Sequence, residues 1–251
     1  MKKIRLKIEV GNRVLAAQMD VHDEFSPRYF CLFAHCFTCT KDLKSINYLT
    51  ETLTEKGFAV LRFDFTGLGE STGDFGSSNF ENNIEDLITA SEFLEQNYEA
   101  PSLLIGHSLG GAAVIQAAQM ITSAKAVVTI GTPFYPDHLS RIVKSSKSQI
   151  DKSGRADVMI SGRKFSIGSK FYNDMHESKM KQNIENLNKP LCILHSPKDE
   201  TVSIEHAEKI FATANHPKSF ISLDGADHLL MNKSDAKYAA TMIAEWANKY
   251  L

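Results

Sequence analysis

The sequence predicts an α/β fold, a mostly parallel sheet of about eight strands with helices on both faces and an antiparallel hairpin at its start. Three observations predict it. Short apolar runs recur that are continuous enough to be buried on both faces. Amphipathic stretches of helical period alternate with them. Before both, Ile4 to Val10 and Arg13 to Met19 alternate in polarity around Gly11-Asn12, a two-residue turn that folds neighbouring strands back on each other.

The continuous runs are Tyr29 to Ala34, Phe58 to Phe63, Ser102 to Ile105, Ala126 to Ile130, Leu191 to Leu194 and Ser219 to Leu223. Between them, Asp42 to Lys56 places Leu43, Ile46, Leu49 and Leu53 on one helical face, and Asn79 to Asn97 does the same with Phe80, Ile84, Leu87, Ile88 and Leu94. A last helix from Ser234 or Asp235 carries Met242, Ile243 and Trp246 and closes the sheet. One interval breaks the rhythm: 60 residues lie between the strand ending near Ile130 and the one opening at Leu191, more than a crossover needs. Pro133 and Pro136 open it, Ala156 to Ile160 and Lys164 to Ile167 read as a small hairpin around Gly162-Arg163, and a helix is expected near Ser169 to Met175. Residues 133–188 are therefore expected to form a small cap within a single domain spanning 1–251.

Composition narrows the function. The chain has 251 residues, 43% hydrophobic and 23% charged, enough to bury a sizeable core. Its net charge is −2 with no Lys/Arg block interleaved with aromatics, which argues against a nucleic-acid partner. Lys2 and Lys3 are followed by alternating polarity, a strand rather than a signal peptide, and no stretch approaches the roughly 18 uninterrupted apolar residues of a membrane span. A cytoplasmic protein with no membrane partner is expected. Of the four cysteines, Cys31 and Cys192 fall inside apolar strands. Cys36 and Cys39 form a C-x-x-C pair without the second Cys/His pair of a zinc site or a thioredoxin-like context. All four are expected to be reduced, with Cys36 and Cys39 lining a turn beside the site.

The chemistry centres on Gly106-His107-Ser108-Leu109-Gly110, followed by Gly111, between the apolar run Leu103-Leu104-Ile105 and the small residues Ala112 to Ala118. A serine on a tight strand-to-helix turn, flanked by glycines that let strand and helix close around it, is a nucleophile elbow. A serine hydroxyl needs a base to take its proton and a carboxylate to orient that base. Two later strand ends offer them: Leu194 runs into His195-Ser196-Pro197-Lys198-Asp199-Glu200, and Leu223 into Asp224-Gly225-Ala226-Asp227-His228. Asp199 is the expected acid, with Glu200 its adjacent substitute, and His228 the expected base. Asp224 and Asp227 sit close enough to His228 in sequence to order its loop instead. His107 adjoins the serine and cannot easily turn onto its oxygen, His35 is expected to brace the neighbouring loop, and His195 to be structural. Negative charge developing on a substrate carbonyl calls for backbone N–H donors. Leu109 offers one, and the loop after the third strand offers Phe37, with Cys36 standing where such loops often carry glycine. The glycines of Asp64 to Ser71 do not match G-x-G-x-x-G, so this loop is expected to shape the site and not to bind a nucleotide.

Over nearly its whole length the chain resembles the α/β-hydrolase superfamily, and within it the hydrolase module that bacteria often fuse ahead of an OsmC-like domain. The resemblance rests on HCFTCTKD (His35 to Asp42), LRFDFTGLGES (Leu61 to Ser71), LIGHSLGGAA (Leu104 to Ala113), HSPKDETV (His195 to Val202) and HPKSFISLDGADHLL (His216 to Leu230). It implies the α/β-hydrolase fold, Ser108 as nucleophile, Asp199 as acid and His228 as base, and makes Cys36 a habit of that branch. The expected function is a serine esterase acting on a small-molecule ester of a small or medium acyl group through an acyl-enzyme, with no metal or organic cofactor. A thioesterase or an aminopeptidase-like peptidase would use the same triad, and a scaffold that binds a ligand or partner without turnover would keep the fold alone.

Overall fold

A computed structural model describes residues 1–36, 39–135, 147–160, 163–169 and 179–251. Eight strands form one sheet: β1 (Lys2–Val10), β2 (Arg13–Val21), β3 (Tyr29–Ala34), β4 (Phe58–Phe63), β5 (Leu103–His107), β6 (Ala126–Ile130), β9 (Leu191–His195) and β10 (Lys218–Ser222). Their order is β1-β2-β4-β3-β5-β6-β9-β10. β2 pairs antiparallel with both β1 and β4, and every other neighbouring pair is parallel. The strand pattern anticipates this mostly parallel sheet with its antiparallel start, and the fold is the α/β-hydrolase fold that the family resemblance implies.

The alternation of side chains along a strand explains the two cores. Cys31 and Phe33 of β3 face one side with Val60, Ile105, Val128 and Cys192, where α1 (Lys44–Glu55) and α7 (Lys233–Ala247) cover them with Ile46, Leu49, Leu53 and Ile243. Leu32 and Ala34 face the other side with Leu61, Leu104, Val127 and Ile193, beneath α2 (Phe80–Asn97), α3 (Leu109–Ala117) and α6 (Ile204–Thr213). Each fully buried Leu or Ile contributes about 1.5–3 kcal/mol relative to exposure, so two apolar faces on every central strand hold both helical layers down. A capping box starts α2: the Asn79 side chain accepts from the Asn82 amide and the Asn82 side chain from the Asn79 amide.

Because β3 lies between β4 and β5, the chain reverses direction across the sheet there, and a crevice opens beyond the strand ends. The register pairs Ala34 with Gly106, His107 with Ile130 and Ser222 with His195, so the residues following β3, β5, β6, β9 and β10 emerge along one edge.

In the long interval the expected hairpin forms as β7 (Arg155–Ile160) and β8 (Arg163–Gly168), paired antiparallel. Two helices flank it that the sequence pattern did not announce, α4 (Lys147–Ser153) and α5 (Met180–Glu185). Ile150, Ala156, Val158 and Met180 join the core beneath α2 and α3. β8 runs beside the short 3-10 turn Phe75–Ser77, where Gly168 meets the Gly76 carbonyl so closely that a Cβ would overlap it. Beyond Ser169, the helix expected near Ser169 to Met175 lies outside the described residues. The cysteine expectation needs one correction. Cys31 and Cys192 are free and buried, but Cys36 and Cys39 are bonded to each other, with Cα atoms 5.2 Å apart. The cause is local: the Cys39 amide donates to the Cys36 carbonyl at 3.1 Å, a tight turn that brings the two side chains together.

Candidate active site

Ser108 occupies the turn between β5 and α3 at φ 55° and ψ −122°, a left-handed conformation that costs a non-glycine residue on the order of 1–3 kcal/mol. Its neighbours make that turn possible. A Cβ on Gly106 would overlap the Gly110 carbonyl, one on Gly110 would overlap the carbonyls of Ala34 and His35, and one on Gly111 would overlap Thr132 Oγ1. Leu109 is the first residue of α3, so its N–H has no acceptor within the helix and lies at the positive end of the helix dipole.

Three strand ends bring together the residues expected to react. The His228 ring sits 3.1 Å from Ser108 Oγ through Nε2 and 2.7 Å from Asp199 Oδ2 through Nδ1. An ionised carboxylate only accepts, so Nδ1 donates to it and Nε2 is left to accept from the serine hydroxyl. Asp199 Oδ1 takes the amides of Thr201 at 2.9 Å and Val202 at 2.8 Å. Burial pushes the Asp199 carboxyl up, but the His228 hydrogen bond and charge, with those two amides, outweigh it and hold the group below the usual carboxylate range. Glu200 is exposed. Asp227 accepts from the amides of Leu229 and Met231, and Asp224 from the Ser222 hydroxyl, so each orders its own loop. Phe37 falls outside the described residues.

Three further histidines stand at strand ends, each holding a backbone carbonyl. His35 Nδ1 donates to the Cys36 carbonyl at 2.7 Å while Nε2 accepts from the Phe65 amide at 3.3 Å. His107 Nε2 donates to the His228 carbonyl at 2.7 Å, and His195 Nε2 to the Val202 carbonyl at 2.8 Å. Burial is the main cause that drives all three below the ordinary imidazole value, His107 to about 3, so they remain neutral.

Other residues of this region escape sequence reasoning. Gly131, just past β6 at φ 56°, lies so close to the Asp199–His228 pair that a Cβ would stand 3.3 Å from both Asp199 Oδ2 and His228 Nδ1. Asp64, after β4, accepts from the Lys41 amide at 2.6 Å, the Lys41 ammonium at 3.0 Å and the Glu70 amide at 3.0 Å, tying the segment that follows Cys39 to the glycine loop. Burial would lower the Lys41 ammonium, but its bonds to Glu70, Asp64 and Asp42 raise it above the ordinary lysine value. The available signal was the glycine cluster itself: a Cβ on Gly69 would overlap the Asp64 carboxylate. Among the described residues no group of three or more His, Cys, Asp or Glu side chains could hold a metal ion, and no helix is long and apolar enough to cross a membrane.

Residues 26–153 match the profile of the family described as serine aminopeptidase, S33. The chain belongs to that family. Among solved structures, this S33-family chain is similar to the esterase domain of a Rhodothermus marinus protein, with 41% identity, a TM-score of 0.82, and coverage of 100% of this chain and 99% of that one. It also shares its fold with Est1E from Butyrivibrio proteoclasticus, determined with ferulic acid bound, at 19% identity and a TM-score of 0.81 over 98% of each chain. Among curated proteins it is 24% identical over 204 residues to the human mitochondrial palmitoyl-protein thioesterase ABHD10, covering 77% of this chain and 64% of that protein. The match spans only 52% to 64% of the length of such curated relatives.

Proposed function

We propose that this chain is a serine hydrolase that cleaves carboxylic esters through an acyl-enzyme on Ser108. The observation that carries the reading is the hydrogen-bonded line from Ser108 Oγ to His228 Nε2 at 3.1 Å and from His228 Nδ1 to Asp199 Oδ2 at 2.7 Å. As Oγ attacks the ester carbonyl, its proton passes to Nε2, and Asp199, kept ionised, stabilises the imidazolium. The oxyanion is received by the Leu109 amide and, in this reading, by the Phe37 amide, each such donor being worth about 3–4 kcal/mol in the transition state. Collapse expels the alcohol, which takes the proton from His228, and a water deprotonated by the same ring then releases the acid. Each step uses side chains, backbone amides and water. In the same reading the chain is one cytoplasmic domain with residues 133–188 as a cap that sets substrate shape.

The 41% identity to a domain described as an esterase supports esters over other acyl groups. A thioester is the second reading, favoured by the likeness to a palmitoyl-protein thioesterase. A fluorophosphonate probe followed by intact mass is expected to add one adduct to the wild type and none to Ser108→Ala. Absence of the wild-type adduct would favour a scaffold that binds without turnover. A panel of esters of varied acyl length, thioesters and amino-acid amides decides the substrate class, and higher kcat/KM on thioesters would displace the ester reading.

A further inference from the structure

We infer that His107 is a positioning residue: it fixes the base loop to the nucleophile strand, so that Ser108 and His228 are joined twice. The inference rests on the proposed roles of Ser108 and His228. The first link is the contact between Ser108 Oγ and His228 Nε2 at 3.1 Å, which a reaction must make and break. The second runs through His107, one peptide before the serine, whose Nε2–H meets the His228 backbone carbonyl at 2.7 Å. The base residue is thereby gripped at its main chain by the residue covalently attached to its target.

Among the described residues no other hydrogen bond performs this task in the same place. No backbone N–H of the described residues donates to the His228 carbonyl. Asp227 ties the loop only to itself, through the amides of Leu229 and Met231. The Asp199 carboxylate orients the His228 ring but reaches back to β9, the strand two removed from β5. His107 is itself held still: it is 4% exposed and lines a small apolar hollow with Phe33, Ile46, Leu49, Ile130 and Leu230. Its ring centroid is 5.0 Å from that of His228 and tilted by 40°, near enough that a charge on both rings would repel. A neutral donor is therefore what the position requires, since His228 becomes cationic in every cycle.

The test compares His107→Gln, whose amide N–H reaches about as far as imidazole Nε2, with His107→Leu, which fills the space without a donor. With Ser108 labelled by fluorophosphonate in the wild type, His107→Leu is expected to lower kcat and the labelling rate on the order of 10- to 100-fold with KM nearly unchanged. His107→Gln is expected to recover most of both. Nitrogen-15 NMR of histidine-labelled wild type, which needs no variant to fold, is expected to place the His107 proton on Nε2. Overturning results are a His107→Leu enzyme with wild-type kcat, a His107→Gln enzyme as slow as His107→Leu, or a proton on Nδ1. Loss of wild-type labelling would instead defeat the serine-hydrolase reading, so the two failures are told apart.

Discussion

Gly131 carries no reactive group, yet it stands where β6 comes closest to the Asp199–His228 hydrogen bond. At φ 56° an alanine there would be strained by about 1–2 kcal/mol. Its methyl would also press on both partners at 3.3 Å, tighter than comfortable van der Waals contact. With His228 in its proposed role as base, Gly131→Ala is expected to lower kcat about tenfold or more, because small displacements of such a group are costly, and to reduce the urea midpoint; kinetics and urea titration on one preparation read both. Among the residues of this site, those with reactive side chains are the legible ones. Ser108 stands out through its glycines, and Asp199 and His228 through their place just past apolar runs. Gly131 is invisible because its neighbours come from β9 and β10, and only the strand order tells that β6 runs beside β9. The Cys36–Cys39 bond escapes for another reason: the same spacing serves zinc, redox and plain packing, and only the turn that closes Cys39 onto Cys36 selects among them.

Elements are legible where their length spans several periods. β1 alternates from Lys3 to Val10 and α2 keeps its stripe over eighteen residues, so their positions follow from pattern alone. The helix α6 spans ten residues and buries only Ala207 and Ile210, too few turns for a helical period to stand out, and α5 is shorter still at six. Charged residues inside apolar runs are equally opaque. Arg62 lies in β4, 1% exposed, with Nε 2.8 Å from Asp20 Oδ2 on β2 and Nη2 2.8 Å from Asn47 Oδ1 on α1, while Nη1 donates to the Lys41 carbonyl. One guanidinium thus fastens the antiparallel pair, the first turn of α1 and the segment after Cys39. Arg62→Leu or Asp20→Leu alone is expected to cost about 3–5 kcal/mol, because each strands a buried charge. Combining the two should cost clearly less than their sum, and urea unfolding of all four proteins closes the cycle.

On the scale of the whole molecule, buried imidazoles set the response to acid. His35, His107 and His195 lie below the ordinary imidazole value, chiefly through burial. An unfolded histidine takes up a proton below about pH 6.5 and these three do not, so the unfolded state binds more protons. Their contribution is complete above about pH 6.5 and is lost as pH falls towards their folded values, by up to about 1.4 kcal/mol per pH unit for each ring. His195 makes the cost concrete, since a proton added at its buried Nδ1 would find no partner among the described residues. Asp199, held low, acts in the same direction at more acid pH. Asp86 opposes it: burial lifts its carboxyl to about 6 against the Thr66 bonds and the Arg13 charge, so it favours the folded state as pH drops and offsets roughly one histidine. Urea midpoints are expected to fall from about pH 6.5 to 5, and a flat profile there would contradict three neutral rings.

The two rims of the sheet are guarded unequally. β1 is nine residues long and forms one edge, yet Lys3, Arg5 and Lys7 recur at every second position and are exposed. A second copy laid against it would set cation against cation, which discourages sheets from joining edge to edge. The opposite rim, β10, has five residues and presents Phe220 at 42% exposure. Crowded chains of this sequence should therefore begin to associate at β10, with shortness its main defence, while the longer rim repels its own kind.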